Sequence, residues 1–208
     1  AALLIASCSF GQGRAIPSEK PKLIVEIVVT QMRYDYLQRY FGNFSDNGFR
    51  VLLEEGAVCK NAKYNYSFTQ SAPGLATIAT GTNPSTHGVV GDMWYIPLTD
   101  QNVKAVQDSK TEGVGGFGDL GKVSPRNLLA GTLADEIKMA NKNSKVIGVA
   151  MEPTSAVFLA GHSADAAYWF DPSTGKFMTS SYYTKALPKW VDDFNQKRFP
   201  DIYIYNKW

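Results

Sequence analysis

Apolar residues gather along this chain in two unbroken runs and in several stretches of helical spacing. Leu23 to Val29 (LIVEIVV) and Lys145 to Met151 (KVIGVAM) are rich in β-branched residues and show no polar alternation. That pattern predicts central strands covered on both faces. Arg33 to Leu53 carries aliphatic and aromatic residues at helical spacing, broken by GNFSDNG (Gly42 to Gly48), and predicts helix, turn and second helix, ending at Glu54-Glu55-Gly56. Ala57 to Tyr66 predicts a strand. Ala72 to Gly81 has small residues at helical spacing, and Asn83 to Gly88 (NPSTHG) predicts a loop. Gln101 to Gly121 is polar and Gly-rich and predicts a surface excursion. Ser124 to Ala140 is the clearest helical pattern, with Ser124 as N-cap, Pro125 in the first turn, and Leu128, Leu129, Leu133 and Ile137 on one face. Ala166 to Tyr183 predicts a hairpin turning at Asp171 to Gly175, followed by a short helix begun near Pro188. Strand–helix–strand alternation of this kind predicts an α/β sandwich with a largely parallel sheet.

At 208 residues the chain can bury one sizeable core, and its net charge of +2, scattered along the sequence, gives no footprint for nucleic acid. Cys8 and Cys59 are the only cysteines, so there is no disulfide framework and no CxxC metal site. The opening AALLIASCSFGQG reads as the later part of a secretory signal. IASC also fits a bacterial lipobox, with Cys8 as the lipidated residue, and ordinary cleavage after the small residues is the alternative. The apolar stretch falls far short of the ~20 residues a membrane-spanning helix needs. Residues 1–19 are thus expected to be a signal or lipoprotein-type segment and linker. Residues 20–208 are expected to be the amino-terminal part of an exported domain, periplasmic or associated with the outer membrane, and not stable in isolation.

Three stretches carry candidate chemistry. Gly113 to Gly118 (GVGGFG) fits GxGxxG but lacks the preceding strand and following helix of a nucleotide cradle, so a flexible loop is expected. His87 and His162 each stand beside Gly, without a second ligand at metal-binding spacing, and read as structural or loop residues. In TQSAPGLATIATG, Ser71 stands between a predicted strand and a helix of small residues. A nucleophile there would face an anion held by the helix amides, whereas a serine in front of a helix also serves as N-cap. Trp94, Tyr95, Tyr168 and Trp169 read either as scaffold or as a binding surface.

In order and spacing, KPKLIVEIVVTQMRYDYL, TGTNPSTHGVVGDMWY, SPRNLLAGTLADEI, AGHSADAAYWFD and TGKFMTSSYYTKALPKWVDDFN span nearly all of Lys20 to Asn195. Together they resemble the phosphomonoesterase branch of the alkaline phosphatase superfamily, exported bacterial enzymes close to the type I phosphodiesterase/nucleotide pyrophosphatases. The resemblance implies a three-layer α/β/α sandwich of which this chain holds the amino-terminal portion. It also implies two zinc ions at the carboxyl ends of the strands and phosphate esters as substrate. In such a site the metals activate a hydroxyl and hold the phosphoryl oxygens, while an Asn and a Lys/Arg pair stabilise the equatorial oxygens.

Mapped onto this sequence, the resemblance implies substitution at every matched position. Thr30 stands where the family has a zinc-binding Asp. Ser71 stands at the Thr nucleophile, and Asp92 at the phosphate-binding Asn. Glu152-Pro153-Thr154 replaces a Lys-Asp-Arg, so Glu152 and Thr154 replace both cations. The balance is roughly three charge units against an anionic substrate, each worth about 4 kcal/mol at 4 Å for an effective dielectric of 20. A neutral Thr30 is also a poor zinc ligand. The expectation is a member of this family that is degenerate as a phosphatase. A retuned metal-dependent hydrolase with Ser71 as nucleophile, and an envelope binding or structural component with protein partners not identified from the sequence, are the alternatives. Glu26, a carboxylate inside a predicted buried strand, is expected to need a partner or a proton.

Overall fold

Leu23 to Val29, predicted as a central strand, joins no β-ladder. Its apolar side chains other than half-buried Val28 are exposed, Leu23 at 77% and Ile27 at 79%. A strand exists only through the hydrogen bonds of a neighbour, and among the described residues none pairs with this segment. The Glu26 side chain is exposed by surface area, yet partial burial still raises its carboxyl above the ordinary value. The structure, a computed structural model, describes residues 21–204. Cys8 and the signal-like segment lie outside those residues. The described residues divide into two units, the first ending at Val58 and the second starting at Cys59.

In the first unit the apolar run breaks at a Thr30–Gln31 turn, where Gln31 takes φ 60°. The predicted helix, turn and helix follow as α1 (Tyr34–Arg39) and α2 (Phe49–Glu55), separated by a single 3-10 turn at Phe41–Asn43. Arg50 of α2 ties the intervening segment by donating to the Phe44 carbonyl at 3.2 Å.

The second unit begins without the strand predicted over Ala57 to Tyr66. Side chains hold that segment instead: Tyr64 donates to the Gly74 carbonyl at 3.4 Å, and the Tyr66 hydroxyl meets Thr77 Oγ1 at 3.0 Å. Both partners lie on α3 (Ser71–Thr80), which Gly81 closes in the left-handed region at φ 67°. The predicted loop after it contains α4 (Pro84–His87), a single turn ended by Gly88 at φ 80°. An antiparallel pair follows, β1 (Met93–Ile96) and β2 (Gln101–Lys104).

The Gly-rich excursion forms β3 (Gly113–Val114) and is closely packed rather than flexible. A Cβ on Gly121 would overlap the Gly113 backbone, and one on Gly116 would lie 2.6 Å from Met178 Sδ. Gly113, Gly116 and Gly121 therefore serve close approach to Met178 of the sheet, while Gly115 faces Leu187 and Gly118 borders open space.

The helix predicted from Ser124 splits. Ser124 caps only a 3-10 turn, Pro125–Asn127, and its hydroxyl donates to buried Asp108 at 2.7 Å. Thr132 then starts α5 (Leu133–Ala140) with a capping box in which Asp135 bonds back to the Thr132 N–H. The second cap outcompetes continuation of the first turn. Leu128 is accordingly buried, while Leu129 and Leu133 stay exposed at 75% and 54%.

A four-stranded sheet organises the remainder. β4 (Ile147–Ala150) leads into α6 (Pro153–Ala160). β5 (Ala166–Asp171) and β6 (Lys176–Ser180) form the predicted hairpin, and α7 (Lys189–Gln196) follows, then α8 (Asp201–Ile204). The order is β3-β6-β5-β4, with β4 parallel to β5 and the other pairs antiparallel. The sheet is thus mixed. β4, predicted as central, lies at its edge among the described residues, with Ile147 and Val149 exposed.

Alternation along β4 and β5 sets the layers. Gly148, Ala167, Ala150 and Trp169 share one face by register. α6 lies so close there that a Cβ on Gly148 would sit 2.7 Å from the Ala156 carbonyl oxygen. Ala166 and Tyr168 share the other face and pack with Val191 of α7, Phe177 and Leu187. α3 packs on α6, so helices cover both faces of the sheet.

Gly161, at φ 77° after α6, has no room for a side chain: a Cβ would overlap Thr132 Oγ1 and lie 2.8 Å from Asp135 Oδ2. Gly161→Ala is expected to cost about 2–4 kcal/mol through the strained φ and overpacking. Gly131→Ala, which would meet only the end of the Glu136 side chain at 3.6 Å, is expected to stay within about 0.5 kcal/mol of the parent. Urea denaturation of the two variants checks the contrast.

Candidate functional site

Ser71 is the first residue of α3, not its N-cap. Gln70 holds the cap position with extended backbone (φ −70°, ψ 170°) and contributes no side-chain cap. The Ser71 side chain is exposed, and its hydroxyl makes no hydrogen bond among the described residues. α3 is positioned by its small residues: Ala72, Pro73, Gly74, Ala76 and Ala79 are buried and allow close packing on α6.

A different residue satisfies the start of α3. The Ala72 N–H donates to Asp92 Oδ1 at 2.7 Å, and the Asp92 N–H donates to Gln70 Oε1 at 2.9 Å. The Ala105 N–H, donating to the Asp92 carbonyl at 2.9 Å, fixes Asp92 from the far side. Asp92 therefore places a carboxylate on the amide adjacent to Ser71. An anionic side chain suits the positive end of a helix, and a charge-assisted bond of this length is a strong one.

The flank of α3 is held by a buried histidine. The Val89 N–H donates to His87 Nδ1 at 3.2 Å, which leaves the proton on Nε2, 3.1 Å from Thr77 Oγ1. Burial pushes the His87 imidazole below its ordinary value, although a bond to its own backbone opposes this. His87 is thus a neutral brace, in line with its structural reading from sequence.

Glu152 and Thr154 open α6. Glu152 is the N-cap residue, exposed and without a side-chain cap bond. Pro153 occupies the first turn, and Thr154 is half-buried behind it. A carboxylate again lies at the start of a helix. Thr30 is exposed in the turn of the first unit. The structure thus joins Ser71 to Asp92 through Ala72 and puts Glu152 with Thr154 on one helix turn. Among the described residues, no three His, Cys, Asp or Glu side chains converge as metal ligands. The described residues alone do not fit the two zinc ions that the resemblance implies. Tyr168 and Trp169 are buried scaffold, Trp94 is half-buried, and Tyr95 is exposed with its hydroxyl donating to Asp100 at 2.7 Å.

Sequence reasoning located Asp92 but missed its bond to α3, and it missed Gln70 altogether. The signal was present: Gln is a poor N-cap, so the helix at Ser71 needed an acceptor from elsewhere in the chain.

Residues 24–206 match the family described as type I phosphodiesterase/nucleotide pyrophosphatase. Among curated relatives, a Myroides odoratus protein named as a calcium-transporting ATPase is 44% identical, over 99% of this chain and 38% of its own length. Alkaline phosphatase PafA of Elizabethkingia meningoseptica is 40% identical, with 99% and 38% covered. The chain therefore spans well under half the length of these relatives. The crystal structure of wild-type PafA superposes with a TM-score of 0.89 at 42% identity, over 94% of this chain and 38% of PafA. A PafA variant with four substitutions (a Thr to Ser, and an Asn, a Lys and an Arg each to Ala) gives 0.84, over 87% and 35%. The chain belongs to the type I phosphodiesterase/nucleotide pyrophosphatase family, within the alkaline phosphatase superfamily.

Proposed function

We propose that this chain carries the amino-terminal part of an alkaline phosphatase-type site that is degenerate for phosphate monoester hydrolysis. The observation that carries the reading is the Asp92 carboxylate bonded to the Ala72 amide beside Ser71. PafA is an alkaline phosphatase by name, so a phosphate monoester is the ester this scaffold would offer to Ser71. An incoming phosphoryl dianion would meet a resident carboxylate on the Ala72 amide, next to Ser71. At ~4 Å each unit of like charge costs between about 1 kcal/mol in bulk water and about 4 kcal/mol at an effective dielectric of 20. Glu152 at the start of α6 adds a second acid where the resemblance implies a Lys, and Thr154 stands in place of an Arg. Thr, Asn, Lys and Arg are also the residue types replaced in the PafA variant.

A second reading has its own support. Ser71 is exposed and its hydroxyl is unengaged, as a nucleophile must be, and a Ser in place of Thr keeps the hydroxyl chemistry. In that reading the site is a retuned hydrolase, with zinc held mainly by residues beyond those described. Export, a lipid anchor at Cys8 and a role as an envelope binding component belong to the proposal at the level of the sequence signals alone.

Zinc content and aryl-phosphate turnover of the intact protein separate the two readings. Degeneracy predicts no turnover above background in wild type and a gain in Thr30→Asp/Asp92→Asn/Glu152→Lys/Thr154→Arg, which also removes the resident carboxylate. Turnover by wild type that disappears in Ser71→Ala would establish the retuned enzyme instead. Asp92→Ala is expected to cost about 1–2 kcal/mol of stability, because it removes the acceptor at the start of α3. Chemical denaturation read by circular dichroism checks this.

A further inference from the structure

The loop after α6 is tied at an unusual density. Its first three residues, Gly161, His162 and Ser163, bond to three places in the second unit: Leu128, Asp135 of α5, and the tyrosine pair after β6. The Ser163 N–H donates to Asp135 Oδ1 at 2.7 Å. The Tyr182 hydroxyl donates to the His162 carbonyl at 3.1 Å, and the Tyr183 hydroxyl to the Gly161 carbonyl at 3.3 Å. The His162 ring lies between Asp135 Oδ2, 3.1 Å from Nδ1, and the Leu128 carbonyl, 2.9 Å from Nε2.

Those two ring partners decide the protonation state. A carbonyl only accepts. Asp135 is also acting as an acceptor: the Thr132 N–H, the Thr132 hydroxyl and the Ser163 N–H all donate to it. Both ring nitrogens must therefore donate, and only the imidazolium has two N–H groups. The contrast with His87, whose Nδ1 accepts from the Val89 N–H, is internal to the same unit.

The tie reaches further through the backbone. Leu128 accepts from His162, and the next residue, Leu129, donates its N–H to the His87 carbonyl at 2.9 Å. His87 Nε2 in turn meets Thr77 of α3. We propose that His162 is a pH-operated tie: as an imidazolium it clamps Leu128, and through Leu129 and His87 steadies α3, and on losing a proton it releases Leu128. The neutral ring keeps its bond to the Asp135 carboxylate, so it is Nε2 that would present a lone pair to the Leu128 carbonyl oxygen.

The groups around the ring favour this order of events. Asp135 comes from α5, and Tyr182 and Tyr183 from the segment after β6. Arg126, paired with Asp108 at 2.7 Å, lies within electrostatic reach of Tyr182. Burial raises both tyrosine hydroxyls, so they stay protonated while His162 titrates. The Asp135 hydrogen bond, opposed by burial and aided by Leu128, raises His162 above its ordinary value. Burial pushes Asp135 up, but the bonds from His162, Thr132 and Ser163 outweigh it and hold the carboxyl well below the usual range.

A raised histidine adds stability that is complete below its unfolded value of 6.5 and is lost as pH rises through the folded value. Within that window the folded-to-unfolded ratio should fall about tenfold per pH unit. Two measurements on the intact, 15N-labelled protein test the tie. Ring-nitrogen NMR at about pH 6 should show both nitrogens of His162 protonated and one of His87 bare. The pH slope of stability above 6.5 should vanish in His162→Gln. A bare nitrogen on wild-type His162 at that pH would overturn the proposal, even if the variant failed to fold. So would an unchanged slope in a folded His162→Gln.

Discussion

The first amides of a helix must find acceptors, and in α3 a carboxylate of the same chain supplies one. The bond from the Ala72 N–H to Asp92 Oδ1, at 2.7 Å, joins three things that would otherwise be separate. It satisfies the start of the helix that carries Ser71. It anchors the turn before β1. It places a negative charge beside Ser71, the hydroxyl at the position that the family resemblance gives to the nucleophile. A helix start is the natural seat of a bound anion, and here the chain seats its own.

The rest of the second unit keeps that helix start in place by close backbone approach. Small residues let α3 lie on α6, and Gly148 lets α6 lie on the sheet. Gly161 permits the loop after α6 to meet Thr132 and Asp135. The two histidines work in opposite charge states along this frame. His87 is neutral and buried against α3, and His162 is doubly donating between Asp135 and Leu128. A frame built from backbone proximity has little slack, which suits the precise placement of a small set of polar groups.

Much of this fold was legible in the sequence where local signals agreed with one another. The hairpin at Asp171 to Gly175, the helix from Ala72 closed by Gly81, and the helix after Pro188 each combine a periodic pattern with a strong turn or cap residue. The pattern misled where tertiary pairing decides. Leu23 to Val29 has strand composition, yet no described strand pairs with it. KVIGVAM forms a strand with one neighbour rather than two. In the stretch from Ser124, two caps compete within one periodic run, and periodicity cannot show which will win. For the site, residue types were legible by resemblance and connectivity was not. The bond between Asp92 and Ala72 links positions 20 apart, and only the failure of Gln70 as a cap hinted at it.

Binding of inorganic orthophosphate to the intact protein, measured by titration calorimetry for wild type and Asp92→Asn, tests the resident carboxylate most directly. No binding by wild type and measurable binding by Asp92→Asn is the expected result. It would mean that Asp92 holds the anion position beside Ser71. Equal or tighter phosphate binding by wild type would contradict it, and would return Asp92 to the role of an ordinary helix cap.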